Sequence, residues 1–205
     1  MTSAPDCLVI HAHPDPDSFN ATLRDVAVRA LERGGHRVAV IDLYGQGYRP
    51  DMSADEHRDY FSIGADHPDP ITASHIRLLS TARTLVFVYP TWWAGLPAML
   101  KGWLDRTLLP EVAFHLKAGP DGKEVVRPGL DQVTRLVGIT TYGSDRNDVR
   151  LLGDAGRRTI SRTVRMVCAR RCRTTWLGMH RLDTSTTEER AEFMEQVYRT
   201  LWELR

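Results

Sequence analysis

Residues 85–105 read LVFVYPTWWAGLPAMLKGWLD, and few folds accommodate such a stretch. It opens on five apolar residues, Leu85 to Tyr89, rich in β-branched and aromatic types, the pattern of a buried strand. Pro90 ends the run. Thr91, Trp92 and Trp93 form a turn, then Ala94 and Gly95 lead into a helix with Pro97 near its first turn. A strand that hands over directly to a helix is the unit of an open α/β sheet. Its loop falls at the carboxyl edge, where ligands bind. Two adjacent tryptophans there offer flat apolar surface beside the hydrogen-bonding groups of the loop backbone, a combination suited to a flat heteroaromatic ligand. An isolated Trp-Trp pair is more often core, and the rest of the chain decides between the two readings.

The same strand, loop and helix succession opens the chain. CLVIHA (7–12) is apolar, and His13-Pro14-Asp15-Pro16-Asp17 break it. Ser18 caps a helix expected over Phe19–Glu32, with Phe19, Leu23, Val26, Ala27, Ala30 and Leu31 on one face. Gly34-Gly35 end that helix and VAVID (38–42) is a second strand, which makes a βαβ unit with a right-handed crossover. The helix N-terminus, with its free amides and positive dipole end, is suited to an anion. His13, Ser18 and Asn20 can add side-chain donors there, although Ser18 could simply cap the helix and His13 could be a turn residue. No GxGxxG or P-loop is present, so the usual dinucleotide and triphosphate fingerprints are missing.

Residues 43–70 form a long connection of the kind found in lids and subunit contacts, with a short helix expected over Ala54–Phe61 behind Ser53. A helix over Ile71–Ala82 follows, on which His75 reads as a surface or satisfied residue rather than a ligand. The helix over Leu96–Leu108 carries Leu96, Met99, Leu100, Trp103, Leu104 and Leu108, more apolar surface than one sheet face needs. Residues 110–130 read as a β-hairpin about a turn at Gly119-Pro120-Asp121-Gly122. VTRLVGITT (133–141) is the next core strand and ends in Thr141-Tyr142-Gly143-Ser144. A helix over 149–169 with Leu152, Ala155, Thr159, Val164 and Val167 inward, a strand at 174–178 and a helix over Thr187–Leu204 with Phe193, Met194, Val197, Leu201 and Trp202 inward complete the chain.

Three loops, 13–20, 90–95 and 140–144, therefore end at one edge of a parallel sheet. One suits a phosphate, one is rich in tryptophan and one is small and polar. Together they describe a flavin nucleotide site. Composition narrows the alternatives. At 205 residues with 42% hydrophobic and 26% charged content, the chain reads as one globular domain. A net charge of +1 gives no global pull toward nucleic acid or membrane, and no apolar run approaches a membrane span. The three cysteines lack metal or CxxC spacing, which fits a reducing, cytoplasmic setting, with Cys7 in the core. The prolines of HAHPDPD fan its carboxylates apart, so no metal site is expected there. Residues 146–181 carry ten arginines against two aspartates, which reads as a solvated face with anion or partner contacts rather than a nucleic-acid surface.

The stretches HAHPDPDSFNATL (11–23), VIDLYGQGYRPDMSADEHRDY (40–60), VYPTWWAGLPAMLKGWLDR (88–106) and ITTYG (139–143) resemble the NAD(P)H:quinone oxidoreductase family of flavodoxin-like fold. The resemblance covers most of residues 7–143. It implies an α/β fold with a five-stranded parallel sheet flanked by helices, a tightly bound flavin, and a homodimer with active sites at the subunit interface. By position, His13, Ser18, Phe19 and Asn20 would surround the flavin's phosphate end. Pro90, Thr91, Trp92, Trp93 and Ala94 would contact its rings. Thr140, Thr141, Tyr142 and Gly143 would close the other side. Mammalian members have a Gly-Gly pair in the last loop, then a Tyr and a His that assist hydride transfer. Here Tyr142 replaces the first glycine and 144–153 holds neither residue type, so either Tyr142 takes a related catalytic role or the backbone alone polarises the ring. The implied activity is hydride transfer from NADPH or NADH to a quinone-like acceptor, with FMN favoured over FAD because the chain is shorter than the mammalian members. A partner subunit of a membrane transporter and a flavodoxin-type electron carrier are the rival readings, and the near-neutral charge counts against the second.

Overall fold

The computed structural model describes residues 4–119 and 122–204, so Pro120 and Asp121 of the expected hairpin turn lie outside the described residues. In chain order the elements are β1 (Cys7–His11), α1 (Phe19–Arg33), β2 (Val38–Asp42), α2 (Ala54–Arg58), α3 (Pro70–Leu79), β3 (Thr84–Pro90) and α4 (Ala98–Thr107). There follow β4 (Phe114–Ala118), β5 (Glu124–Pro128), β6 (Arg135–Thr141), α5 (Arg146–Leu152), α6 (Ala155–Arg158), β7 (Arg173–Met179) and α7 (Thr187–Trp202). Five strands form one parallel sheet in the order β2–β1–β3–β6–β7, and β4 and β5 pair antiparallel as the expected hairpin. The chain steps from β1 outward to β2, then back past β1 to β3. That reversal is the topological switch point, where the loops after β1 and β3 splay apart and leave a crevice.

Strand periodicity sorts the core into two layers. Leu8, Ile10, Leu85, Phe87 and Leu136 face the side covered by α3 and α4, where Trp103 and Leu100 are fully buried. Val9, Val86, Val88, Val137 and Ile139 face α1 and α7, meeting Leu23, Ala27, Leu31, Val197 and Leu201. Each fully buried Leu, such as Leu23 and Leu31, contributes about 1.5–3 kcal/mol relative to exposure. Gly138 on β6 lies opposite Trp176 on β7. A Cβ at Gly138 would come within 2.1 Å of the indole, so the missing side chain is what lets Trp176 lie flat across the sheet.

The sequence expectation of one helix over 149–169 is corrected here. Gly153 adopts φ 82 and caps α5, and Asp154 at φ 40 starts α6, its side chain accepting from the Arg157 amide. The chain then continues in wider π-helical turns over Thr159–Val164. The break rotates the first half outward, so Leu152 and Ala155 are exposed while Val164, Val167 and Ile160 are buried. Trp202, expected inward on the last helix, is half exposed, as the stripe on α7 narrows to Phe193, Val197 and Leu201. α2 stops at Arg58, three residues short of the expected end.

The long connection after β2 is pinned to α4. Arg106 is buried and its guanidinium reaches Glu56 on α2, Asp69 at the cap of α3 (3.3 Å) and the Arg49 carbonyl. Burial pushes the Glu56 carboxyl up, but Arg106 and the Ser53 amide outweigh it and hold the group below its usual range. His75 is buried rather than at the surface, and it is satisfied: it meets Gln46 Oε1 at 2.8 Å and accepts from Trp103 Nε1 at 3.3 Å. Removing Arg106 leaves the buried Glu56 carboxylate with only the Ser53 amide and His67 Nε2, 3.3 Å away, to offset its charge. Arg106→Met is expected to destabilise the fold by about 3–5 kcal/mol in denaturant unfolding. An unchanged midpoint would show that the ion pair does not hold the connection.

Candidate functional site at the carboxyl edge of the sheet

The three loops meet. Asn20 Nδ2, in the first turn of α1, donates to Thr141 Oγ1 at 2.9 Å. The Thr91 amide donates to the Thr141 carbonyl at 2.8 Å, and the hydroxyls of Thr91 and Thr140 lie 2.9 Å apart. The His13 and Trp92 rings sit 6.0 Å apart at 56°. Parallel register sets up these contacts, because His11 pairs with Val88 and Pro90 with Thr141, which brings the ends of β1, β3 and β6 to one level. Of the residues expected at the site, His13, Asn20, Thr91, Trp92, Thr140 and Thr141 are thus joined directly, while Pro90, Trp93, Ala94, Tyr142 and Gly143 adjoin them in the same loops.

The tryptophan loop is strained into shape. Trp92 and Gly95 exchange backbone hydrogen bonds of 3.0 and 3.3 Å around a tight turn, and its two central residues, Trp93 and Ala94, have φ 49 and 55. Left-handed backbone at a non-glycine costs on the order of 1–3 kcal/mol and persists where the surroundings impose it. Here the turn holds Trp93 fully in solvent and leaves Trp92 42% exposed. Neither indole is core, which sets the core reading of the pair aside. With Thr91, Gly143, Ser144, Leu152 and Tyr142 they line a mostly apolar cavity of about 650 Å³.

The first loop has the features an anion needs. The Ser18 side chain accepts from the Ala21 amide, and Asp15 in turn caps its own turn through the Asp17 amide. The first amides of α1 lack intrahelical acceptors and carry the positive end of the helix dipole. Asn20 is buried, yet its Oδ1 has no partner among the described residues. A buried acceptor without a donor is unfavourable unless something supplies one. A ligand with a phosphate tail and hydroxyls between tail and ring would satisfy both features, and that is the outline of a flavin nucleotide.

Tyr142 is built into the site more deeply than its loop position indicates. Its hydroxyl donates to Asp154 Oδ2 at 2.7 Å and accepts from Trp176 Nε1 at 3.1 Å. Its ring stacks on His180 at 4.6 Å and 7°. Burial and the Asp154 carboxylate push the phenol well above its ordinary value, so it stays protonated. Burial and the Arg146 cation hold the His180 imidazole low and neutral. Asp154, Trp176 and His180 escaped the sequence reading. Only the Gly-Asp pair at 153–154 marked the break that delivers Asp154, and His180 arrives from the end of β7.

Elsewhere, Asp6, Cys7 and His36 bring potential metal-ligand atoms within 4.8 Å of one another. Each is otherwise engaged. His36 Nε2 meets the Leu204 carbonyl at 2.8 Å and Asp6 accepts from the Arg37 amide at 3.0 Å, while burial, then Asp6, pushes the Cys7 thiol up to about 12.

Comparison with known proteins agrees with the fold. A family model described as flavodoxin-like fold matches residues 6–204. Mouse ribosyldihydronicotinamide dehydrogenase [quinone] is 32% identical over 123 residues, 53% of this chain and 53% of that protein. Guinea pig NAD(P)H dehydrogenase [quinone] 1 is 30% identical over 161 residues, 71% of this chain and 56% of that protein. The matched stretch thus spans little more than half the length of these relatives. The structure of an NAD(P)H:quinone oxidoreductase from Methanothermobacter marburgensis superposes with a TM-score of 0.75 at 22% identity, covering 99% of this chain and 100% of that one, a likeness of fold.

Tyr142→Phe removes one hydroxyl and leaves both Asp154 Oδ2 and Trp176 Nε1 without it. The loss expected in thermal or denaturant unfolding is about 1–3 kcal/mol. A variant as stable as the parent would mean the hydroxyl does not fasten α6 to β6.

Proposed function

This chain belongs to the flavodoxin-like fold family, alongside the NAD(P)H:quinone oxidoreductases, and we propose that it is a flavin-dependent NAD(P)H oxidoreductase passing electron pairs to quinones or similar flat acceptors. One observation carries the reading: an anion-suited helix end, an exposed tryptophan turn and a small polar loop converge at the switch point of the sheet, tied by Asn20–Thr141 and Thr91–Thr140. Bound there, a flavin would supply hydride acceptance from the nicotinamide and its return to the acceptor.

The protein's share is to hold, orient and exclude water. Phe19, Asn20 and Ser18 would grip the phosphate end through the helix N-terminus, and Asn20 Oδ1 would accept a hydrogen bond from a ligand hydroxyl. Pro90, Thr91, Trp92 and Ala94 would lie along one side of the ring, with Thr140, Thr141 and Gly143 on the other. Trp93 would wall the acceptor space. The Tyr142 hydroxyl is committed to Asp154, which favours backbone polarisation over a proton donated from Tyr142. FMN is the flavin we favour. The exposed apolar rim of Trp93, Leu151 and Leu152 supports a second copy of the chain meeting this edge. No described helix is long and apolar enough to cross a membrane.

Flavin-loaded protein should lose its visible absorbance on anaerobic addition of NADPH or NADH and regain it on addition of benzoquinone. Flavin-loaded protein that neither donor bleaches would overturn the reading. Trp93→Ala is expected to lower kcat/KM for the quinone by about tenfold while changing flavin affinity less. Equal quinone turnover in the flavin-replete variant would remove Trp93 from the acceptor pocket.

A further inference from the structure

Next to the tryptophan-lined cavity lies a second one, of about 590 Å³, between α5, α6 and the end of β7. The two share Tyr142, Val149 and Asp154 as a common wall. Five arginines line the second cavity: Arg146, Arg150, Arg157, Arg158 and Arg162. Among the described residues none of the five takes part in an ion pair. The lone carboxylate in the lining is Asp154. Its Oδ2 accepts from Tyr142 and its Oδ1 from the Arg157 amide, so it is committed to holding the fold. One guanidinium, that of Arg157, lies 5.8 Å from the centre of the Trp176 ring.

Five guanidiniums facing one cavity repel one another, and the cost falls when an anion enters. Arginine suits phosphate in particular, because its planar fork donates two parallel hydrogen bonds. The break at Gly153–Asp154 creates the arrangement: α5 brings Arg146 and Arg150 from one side, α6 and its π-helical continuation bring the others.

We propose that this arginine-lined cavity receives the phosphates of the hydride donor and selects the dinucleotide that carries a 2′-phosphate, NADPH, over NADH. The proposal rests on the flavin oxidoreductase reading, for the shared wall places the cavity where a donor with its nicotinamide in the tryptophan pocket would lay its remaining half. Charge decides the preference. A pyrophosphate bridge alone leaves most of the five cations unmatched, whereas a 2′-phosphate monoester adds about −1.5 to −2 at neutral pH. Trp176 and Val149 give the same lining an apolar share for an adenine beside the charged groups.

The test uses flavin-free full-length chain and calorimetry with adenosine 2′,5′-bisphosphate and with 5′-AMP, followed by steady-state kinetics of the flavin-loaded protein with both donors. The bisphosphate should bind about tenfold or more tightly than AMP, and its affinity should weaken with added salt. Arg150→Gln and Arg158→Gln should each weaken bisphosphate binding and lower the NADPH-to-NADH ratio of kcat/KM by about tenfold or more. Arg171→Gln, in the exposed turn that precedes β7 at the opposite end from His180, should leave both readouts unchanged. Equal affinity for the two nucleotides, displacement of the bisphosphate by equimolar inorganic phosphate, or an unchanged ratio in both cavity variants would overturn the proposal. Flavin uptake with no bisphosphate binding would overturn it while leaving the flavin reading intact. Bisphosphate binding in a chain that takes up no flavin would overturn the flavin reading and, with it, the assignment of the cavity's ligand as a hydride donor.

Discussion

The hydrogen bond from Asn20 to Thr141 joins residues 121 positions apart, and the rest of the site depends on the alignment that allows it. It can form only because β1, β3 and β6 run parallel and end level, so that the first turn of α1 reaches over β3 to the last residue of β6. Thr91 closes the remaining gap through Thr140 and the Thr141 carbonyl. The bond is buried, and a buried donor or acceptor left unmade costs more than a made one contributes. The same contact that fastens three loops therefore leaves Asn20 Oδ1 facing an unmet need. Fold stability and ligand demand are expressed through one side chain.

Around that point the structure separates two kinds of work. Packing is handled by strand periodicity: alternate residues of β1, β3 and β6 feed two cores, one under α3 and α4, the other under α1 and α7. The carboxyl edge of the sheet departs from such regularity. Trp93 and Ala94 sit in left-handed backbone, Trp93 is fully exposed, and the helix after β6 breaks at Gly153–Asp154. These features are unfavourable for a free-standing fold, and all of them adjoin the same two cavities. Local departures of this kind concentrate where a chain recognises something.

Much of this was legible in the sequence. Apolar runs ending in Pro or Gly before helical stripes give the parallel α/β fold, and Ser18, Trp92, Trp93 and Thr141 mark its carboxyl edge by residue type and position alone. What escaped was set by tertiary context. A helical stripe over 149–169 is compatible with one straight helix, and the Gly-Asp pair at 153–154 is the one local mark of the break. The charge excess of 146–181 is plain from residue types, but its convergence on one cavity depends on that break. Tyr142 reads as a loop residue until Asp154 and His180, one from after the break and the other from the far end of β7, enclose its ring. His75 likewise looks like a surface residue until Trp103 and Gln46 reach it from elements distant in the chain.

In the proposed function, the switch-point crevice binds one flavin by its phosphate tail and its rings together. Fluorescence titration of FMN into flavin-free protein tests it most directly, read both from the flavin and from the tryptophans. Saturation is expected at one flavin per chain with quenching of both signals, and weaker binding of riboflavin, which lacks the phosphate. FMN that leaves both signals unchanged, or riboflavin that binds as tightly as FMN, would contradict it.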